Sequence, residues 1–188
     1  IAVPDAILNK PGRLTAEEAL TRLKLEPIEE LGFARVDLHR ELRQGAAEVI
    51  YGAGKTPEQI SKIIGALMGS GVPTVLTTRM SQEAADYCAG EHELKYDPVS
   101  RVGIAGEMPE PDGVGTIVVA TGGTTDIPVA EEAALTAEAL GNRVKRLYDV
   151  GVSGIHRLLE HADDIVTARC IVAVAGMEGA LPSVIGGL

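Results

Sequence analysis

The sequence predicts an α/β protein carrying a parallel sheet, and three observations lead there. Short apolar runs rich in β-branched residues alternate with longer helical segments, most regularly in the second half. Glycine turns follow the carboxyl ends of those strand-like runs. One stretch, Thr116 to Gly141 (TIVVATGGTTDIPVAEEAALTAEALG), shows the whole unit at once. It reads as strand, tight glycine-threonine loop and helix, with Pro128 near the helix start and Gly141 just past its end. Alternating strands and helices of this kind form parallel sheets, whose ligands bind at the carboxyl edge of the strands.

The first half reads as a small α/β unit. Ile1 to Arg13 is punctuated by Pro4, Pro11 and Gly12 and gives no element. Thr15 caps a short helix with Glu17 and Glu18 in its first turn and Ala19, Leu20 and Leu23 on one face. Glu26 to Gly32 is a connector, Phe33 to Asp37 a short alternating strand. Leu38 to Gly45 is a charged turn or loop bearing His39, Arg40 and Arg43. Glu48 to Tyr51 is a further strand. Gly52-Ala-Gly-Lys-Thr-Pro57 suggests a phosphate loop but lacks the first glycine at the required spacing, so Thr56 is expected to cap a helix instead. That helix covers 57–69, with Ile60, Ile63, Ile64 and Leu67 on one face. Val72 to Thr77 is a strand, and Ser81 caps a helix to Ala89. Leu94 to Tyr96 and Val102 to Ile104 are short strands.

Gly106 to Gly115 carries acidic residues, two prolines and glycines, and marks the boundary between a unit over 1–105 and one over 116–188, with 106–115 as linker. Beyond it come the strand at 116–120, the helix at 128–140, a strand at 144–150, a short helix at 153–161 and a strand at 171–175. A second glycine turn, Gly176 to Gly179, precedes a helix beginning at Ala180. Three turns therefore fall on one sheet edge: Thr121 to Asp126, Val150 to Arg157, and Gly176 to Ala180.

Composition narrows the function. The chain has 188 residues, 45% of them apolar and 3% aromatic, with no Trp, so its core is Ala, Val, Ile and Leu. A net charge of -10 argues against nucleic acid and against an anionic membrane surface. No apolar run approaches the roughly 20 residues that span a bilayer. The first residues show no basic patch followed by an apolar core, so no secretory signal is expected. Two cysteines make no disulfide framework, and no Cys/His cluster suggests zinc. A cytoplasmic protein is expected. The chain starts at Ile1 and stops at Gly186-Gly187-Leu188, which suggests a piece of a longer protein.

The first turn offers Gly122, Gly123, Thr124, Thr125 and Asp126 at a helix N-terminus, a place that favours an anion. Its spacing is not that of a dinucleotide fingerprint. Asp126 is either the helix N-cap or a holder of ribose hydroxyls, since a carboxylate repels phosphate. His156 and Arg157 either lie on a solvated helix face or meet a phosphate, to which Arg is suited. Glu178 is either a helix N-terminal carboxylate or a general acid or base, which would need its pKa raised by partial burial. Met177 packs or faces a ligand. Cys88 and Cys170 are expected to be inert packed thiols.

The segments TGGTTDIPVAEEAALTAEALG, LYDVGVSGIHRLL and IVAVAGMEGALPSVIGGL, with GFARVDLHRELRQGAAEVIYGAGKTPEQI upstream, resemble the pyridinium-3,5-biscarboxylic acid mononucleotide synthase (LarB) family over nearly the whole chain. More distantly the second half is similar to the carboxyaminoimidazole ribonucleotide mutases (PurE). The resemblance implies a three-layer α/β/α flavodoxin-like fold behind a small α/β N-terminal domain, and a homo-oligomer, an octamer in the mutases. It implies carboxylation of the nicotinate ring of nicotinic acid adenine dinucleotide with carbon dioxide or bicarbonate, phosphoanhydride hydrolysis releasing AMP, and a product used for the nickel-pincer nucleotide cofactor of lactate racemase. Magnesium is implied as an assisting ion. Carried over by motif, Gly122, Gly123, Thr124, Thr125, Asp126, Gly176 and Met177 line the nucleotide site, Arg157 contacts phosphate, and Glu178 handles a proton at the pyridinium ring. The family continues past the segment that ends here at Leu188, into a stretch carrying a cysteine thought to attack the ring. Neither Cys88 nor Cys170 matches it. The competing readings are a purine-pathway mutase, which requires a histidine in the third turn, and a non-catalytic nucleotide-binding or assembly module.

Overall fold

The computed structural model describes residues 28–188; the helix expected after Thr15 lies outside them. β1 (Ile28–Glu30) and β2 (Arg35–Asp37) form an antiparallel ribbon. The expected connector at 26–32 thus holds a strand. All three β1 side chains are exposed, so no apolar alternation announces it. A short helix α1 (Arg40–Gln44) ends at Gly45 in the left-handed conformation, φ 74°.

The next sheet runs β3 (Ile50–Tyr51), β4 (Thr74–Thr78), β6 (Val102–Gly106) and β5 (Leu94–Asp97) in that spatial order. β3 is parallel to β4; the other two pairings are antiparallel. Helix α2 (Pro57–Gly69) starts with a reciprocal cap. The Thr56 hydroxyl accepts from the Gln59 N–H at 3.3 Å, and the Gln59 side chain accepts from the Thr56 N–H at 3.1 Å. The Gly52–Pro57 stretch is therefore the entrance to a capped helix. The expected apolar face of α2 is buried, Ile60, Ile63, Ile64 and Leu67 packing with Val75 and Met80. Helix α3 (Gln82–Glu91), capped by the Ser81 hydroxyl, adds Ala84, Ala85 and Cys88 to that core.

The second half is a parallel sheet ordered β8 (Arg143–Leu147), β7 (Thr116–Thr121), β9 (Cys170–Val174). Its first strand lies in the middle and its second and third on either side, the opening order of a flavodoxin-like sheet. Period-two alternation divides β7 cleanly. Val119 faces helix α4 (Ile127–Ala139), where Ala130 and Ala134 are small enough for close approach. Val118 and Ala120 face the opposite layer of α5 (Ile155–Leu159), α6 (Ala162–Thr167) and α7 (Ala180–Ile185), through Leu158, Ile165, Leu181 and Ile185. This is the expected three-layer α/β/α arrangement of a flavodoxin-like fold. The single helix expected over 153–161 is a 3₁₀ turn (Val152–Gly154) followed by α5, with α6 as an additional element. Each is too short to show a helical period by itself.

Helix α4 is shared by both sheets. Its Leu135 and Ala139 pack on Leu76, Val102 and Ile104 of the first sheet. Glu132 on α4 pairs with Arg79 at 2.7 Å. On the other flank, Arg146 of β8 bridges Glu131 at 3.1 Å and Glu138 at 2.5 Å, and the Tyr148 hydroxyl donates to Glu131 at 2.7 Å. Burial and the bond to Glu131 push the Tyr148 phenol well above its usual range. Helix α4 thus packs on both sheets at once.

The cysteines part company. Cys88 is fully buried, its thiol directed at the Pro57 carbonyl 3.8 Å away. Burial first, then the Glu91 charge, push that thiol up to about 11. Cys170, expected to be packed, is exposed. It is the first residue of an edge strand, and only later β9 residues reach the core. An alkylating reagent at neutral pH is expected to label Cys170 and to spare Cys88 until the protein unfolds, as intact-mass and peptide spectra will report.

Candidate functional site

The three expected turns meet. A pocket of about 320 Å³ opens at the carboxyl ends of β7 and β9. Gly122, Gly123, Thr125 and Asp126 line it from the first loop, Gly151, Val152 and Ser153 from the second, and Gly176, Met177, Glu178 and Gly179 from the third. In a doubly wound sheet this is the point where the strand order reverses, and the loops diverge there because successive helices leave to opposite faces. Its volume lies at the small end of ligand pockets, about 300–1,000 Å³. A second cavity of about 300 Å³ lies by the last turn of α4 and is lined by Glu41, Glu48 and Asp112. Carboxylates beside a helix C-terminus make it unfavourable to an anion.

Close backbone approach ties the pocket loops together. The Gly122 N–H donates to the Val174 carbonyl at 2.9 Å, tying the first loop to β9. Thr121, fully buried, holds two successive amides of the next segment. Its hydroxyl accepts from the Asp149 N–H and its carbonyl from the Val150 N–H, both at 2.9 Å. A Cβ placed on Gly151 would run into the Gly122 carbonyl oxygen. Glycine is needed there for contact, not for backbone freedom, because its φ is an ordinary -60°.

Asp126 does not cap α4 through its side chain. Its carboxylate turns back, accepting from the Gly123 N–H at 2.9 Å. A Cβ on Gly122 would lie 3.4 Å from one of its oxygens, and one on Gly176 3.3 Å from the other. Bare glycine Cα atoms of two loops thus make room for this carboxylate. Two amides of this anion-favouring turn are therefore taken: Gly122 by Val174, and Gly123 by Asp126. A phosphate at that spot would meet a carboxylate already bound to its donor.

Glu178 is exposed and makes no hydrogen bond or ion pair among the described residues. The partial burial expected of a proton carrier is not supplied by this fold alone. Met177 is 94% exposed, so it packs on nothing here and stands at the pocket lip. Thr124 and Arg157 are not among the lining residues. Arg157 lies beside the second loop, its Nη1 donating to Asp149 Oδ2 at 2.7 Å. The pocket wall itself carries two carboxylates and no cation.

Sequence reasoning put Thr121, Gly151 and Gly154 in the edge turns without giving them a part, and read Asp149 only as strand. Asp149 has φ 59°, a conformation that disfavours most L residues other than Asn and Asp. The visible signal was an Asp closing an apolar strand just before a glycine pair, in Tyr148-Asp-Val-Gly-Val-Ser-Gly154.

Comparison with known proteins adds the family. A model of the LarB/PurE-like N-terminal domain matches residues 28–107, the unit that contains the first sheet. An uncharacterized protein of Methanocaldococcus jannaschii is 35% identical over 188 aligned positions, which take in 95% of this chain and 73% of that protein. That likeness extends through the pocket-bearing second half. The chain belongs to the LarB/PurE-like family, whose chemistry is of the carboxylase or mutase type.

Proposed function

We propose that the protein carboxylates the nicotinate ring of nicotinic acid adenine dinucleotide, using carbon dioxide or bicarbonate, and cleaves the phosphoanhydride to release AMP. The product is pyridinium-3,5-biscarboxylic acid mononucleotide, the precursor of a nickel-pincer cofactor. The observation that carries the reading is the convergence of three loops on one pocket with a carboxylate at its lip, Glu178, that is unpaired among the described residues.

In this reading Asp126 accepts hydroxyl donors from the ribose, and Thr125 adds a neutral donor. Met177 lays its thioether on the pyridinium ring, a favourable sulfur–aromatic contact. The bound ring covers Glu178 and withdraws it from water. A thiolate adds to the cationic ring, and the resulting enamine carbon attacks carbon dioxide to form the new C–C bond. Glu178 takes the proton from that carbon, and the C–S bond breaks as the ring regains aromaticity. Water opens the phosphoanhydride. Neither Cys88 nor Cys170 lines the pocket. The thiolate of this reading is, as the family resemblance implies, that of a cysteine other than these two.

No group of three His, Cys, Asp or Glu side chains able to hold a metal comes together among the described residues. Magnesium is proposed to arrive on the substrate phosphates. A cytoplasmic homo-oligomer remains part of the proposal. No helix among the described residues is long and apolar enough to cross a membrane. Exposed Ile155, Leu159 and Val166 beside the sheet provide apolar surface for a second copy.

Incubating the full-length protein with nicotinic acid adenine dinucleotide and labelled bicarbonate, followed by mass spectrometry, tests the reading. The expected products are AMP and a mononucleotide heavier by one labelled carboxyl group. Unchanged dinucleotide would refute it. Carboxylation of an aminoimidazole ribonucleotide would favour the mutase reading, for which no pocket-lining histidine speaks.

A further inference from the structure

We infer that Asp149 and Gly154 are positioning residues that seat the Arg157 guanidinium with its Nε and Nη2 donors free to take a phosphate. This rests on the nucleotide reading above and goes beyond it. The pocket wall supplies no cation of its own: the charged side chains that line it, Asp126 and Glu178, are both carboxylates, and the Gly122 and Gly123 amides are already engaged. Arg157 is the cation that the second pocket loop brings. Its Nη1 is held by Asp149 Oδ2 at 2.7 Å. Its Nε and Nη2 make no hydrogen bond among the described residues. That edge of a guanidinium is a planar fork matched to two oxygens of one phosphate.

The seat has two parts. A Cβ on Gly154 would lie 2.9 Å from Nε, 3.3 Å from Nη2 and 3.4 Å from the central carbon of the guanidinium. The group therefore lies against a bare Cα, directly after the pocket-lining Gly151, Val152 and Ser153. Gly154 has φ -130°, which any residue adopts, so its small size and not its backbone freedom is what the seat uses. Asp149 is fixed in turn. Its left-handed φ of 59° is held by the bond from its N–H to the buried Thr121 hydroxyl at 2.9 Å. The end of β7 thereby sets the direction of Arg157 through one carboxylate.

The test uses the full-length protein with Asp149→Ala, Asp149→Asn and Gly154→Ala. Calorimetry measures binding of nicotinic acid mononucleotide, of its dephosphorylated riboside and of inorganic phosphate; steady-state assays give KM and kcat for the dinucleotide. Asp149→Ala and Gly154→Ala are each expected to weaken mononucleotide binding about tenfold, the scale of one charge-assisted contact. Riboside affinity should stay within about twofold, and KM should rise more than kcat falls. Asp149→Asn keeps an acceptor for Nη1 and tolerates the left-handed backbone, so it should recover most of the affinity. Gly154→Ala makes no demand on φ, which keeps the test open should Asp149→Ala not fold. Unchanged mononucleotide affinity in Asp149→Ala and Gly154→Ala overturns the seat, and so does an equal loss for the riboside. Wild-type carboxylation with unaltered variants would sink the seat alone. Phosphate binding lost in the variants, with no carboxylation by wild type, would sink the functional reading alone.

Discussion

Glu178→Gln is expected to abolish carboxylation while leaving the protein folded and able to bind. The carboxylate is exposed and unpartnered among the described residues, so the isosteric amide removes no contact. Stability should move by less than about 0.5 kcal/mol, as for surface changes that touch nothing. If the carboxylate takes the ring proton, kcat should fall about 10²–10⁴-fold, the usual contribution of a positioned general base. KM for the dinucleotide should hold within about threefold, because this interaction is made in the transition state and not in the ground state. Glu160→Gln, an exposed carboxylate at the end of α5 that does not line the pocket, serves as control and should keep full activity. A Glu178→Gln protein with kcat within threefold of wild type would remove the acid–base role and leave Glu178 as a surface residue beside the pocket.

The layers of this molecule were readable because their signals are local and repeated. β7 is a short apolar run rich in β-branched residues, α4 has Pro128 near its start and Gly141 just past its end, and the Ile60–Ile64 face recurs at helical spacing. The loops of the site could be placed on one edge from strand order alone, since parallel strands send their carboxyl ends the same way. Contacts that depend on distance between loops could not be read. Nothing in the one-dimensional pattern says that Asp126 turns back to Gly123, or that Arg157 lies across Gly154. The same limit explains Cys170: an apolar run predicts a buried strand, but its first residue extends past the helices that cover the rest. β1 was missed for the complementary reason, its stability coming from pairing with β2 rather than from burial. The composition of 106–115, read as a boundary, likewise gives no hint that α4 beyond it is claimed by both sheets.

Gly151→Ala is expected to damage fold and site together, and by a route that separates contact from conformation. The backbone at Gly151, φ -60° and ψ 153°, is open to alanine, so intrinsic strain predicts no penalty. The added methyl group, however, points into the Gly122 carbonyl, which is backbone and cannot rotate away. Gly122 is itself held by its N–H bond to Val174, and Val150, next to Gly151, by its bond to Thr121. Relief requires one loop to lift, breaking at least one of these bonds. Overpacking of this kind costs about 1–3 kcal/mol, and the lifted loop would carry Val152 and Ser153 away from Asp126 and Glu178. Thermal or urea denaturation should show the loss of stability, and nucleotide affinity should fall by about tenfold or more, since misplacing a positioning loop by about 1 Å has effects of that size. Gly179→Ala supplies the contrast. There φ is 67° and a Cβ meets nothing within 4 Å, so the penalty comes from backbone strain alone, about 1–2 kcal/mol, with no clash between loops. If Gly151→Ala were as stable as wild type and bound nucleotide normally, the close crossing of the first and second loops would not be what shapes this pocket.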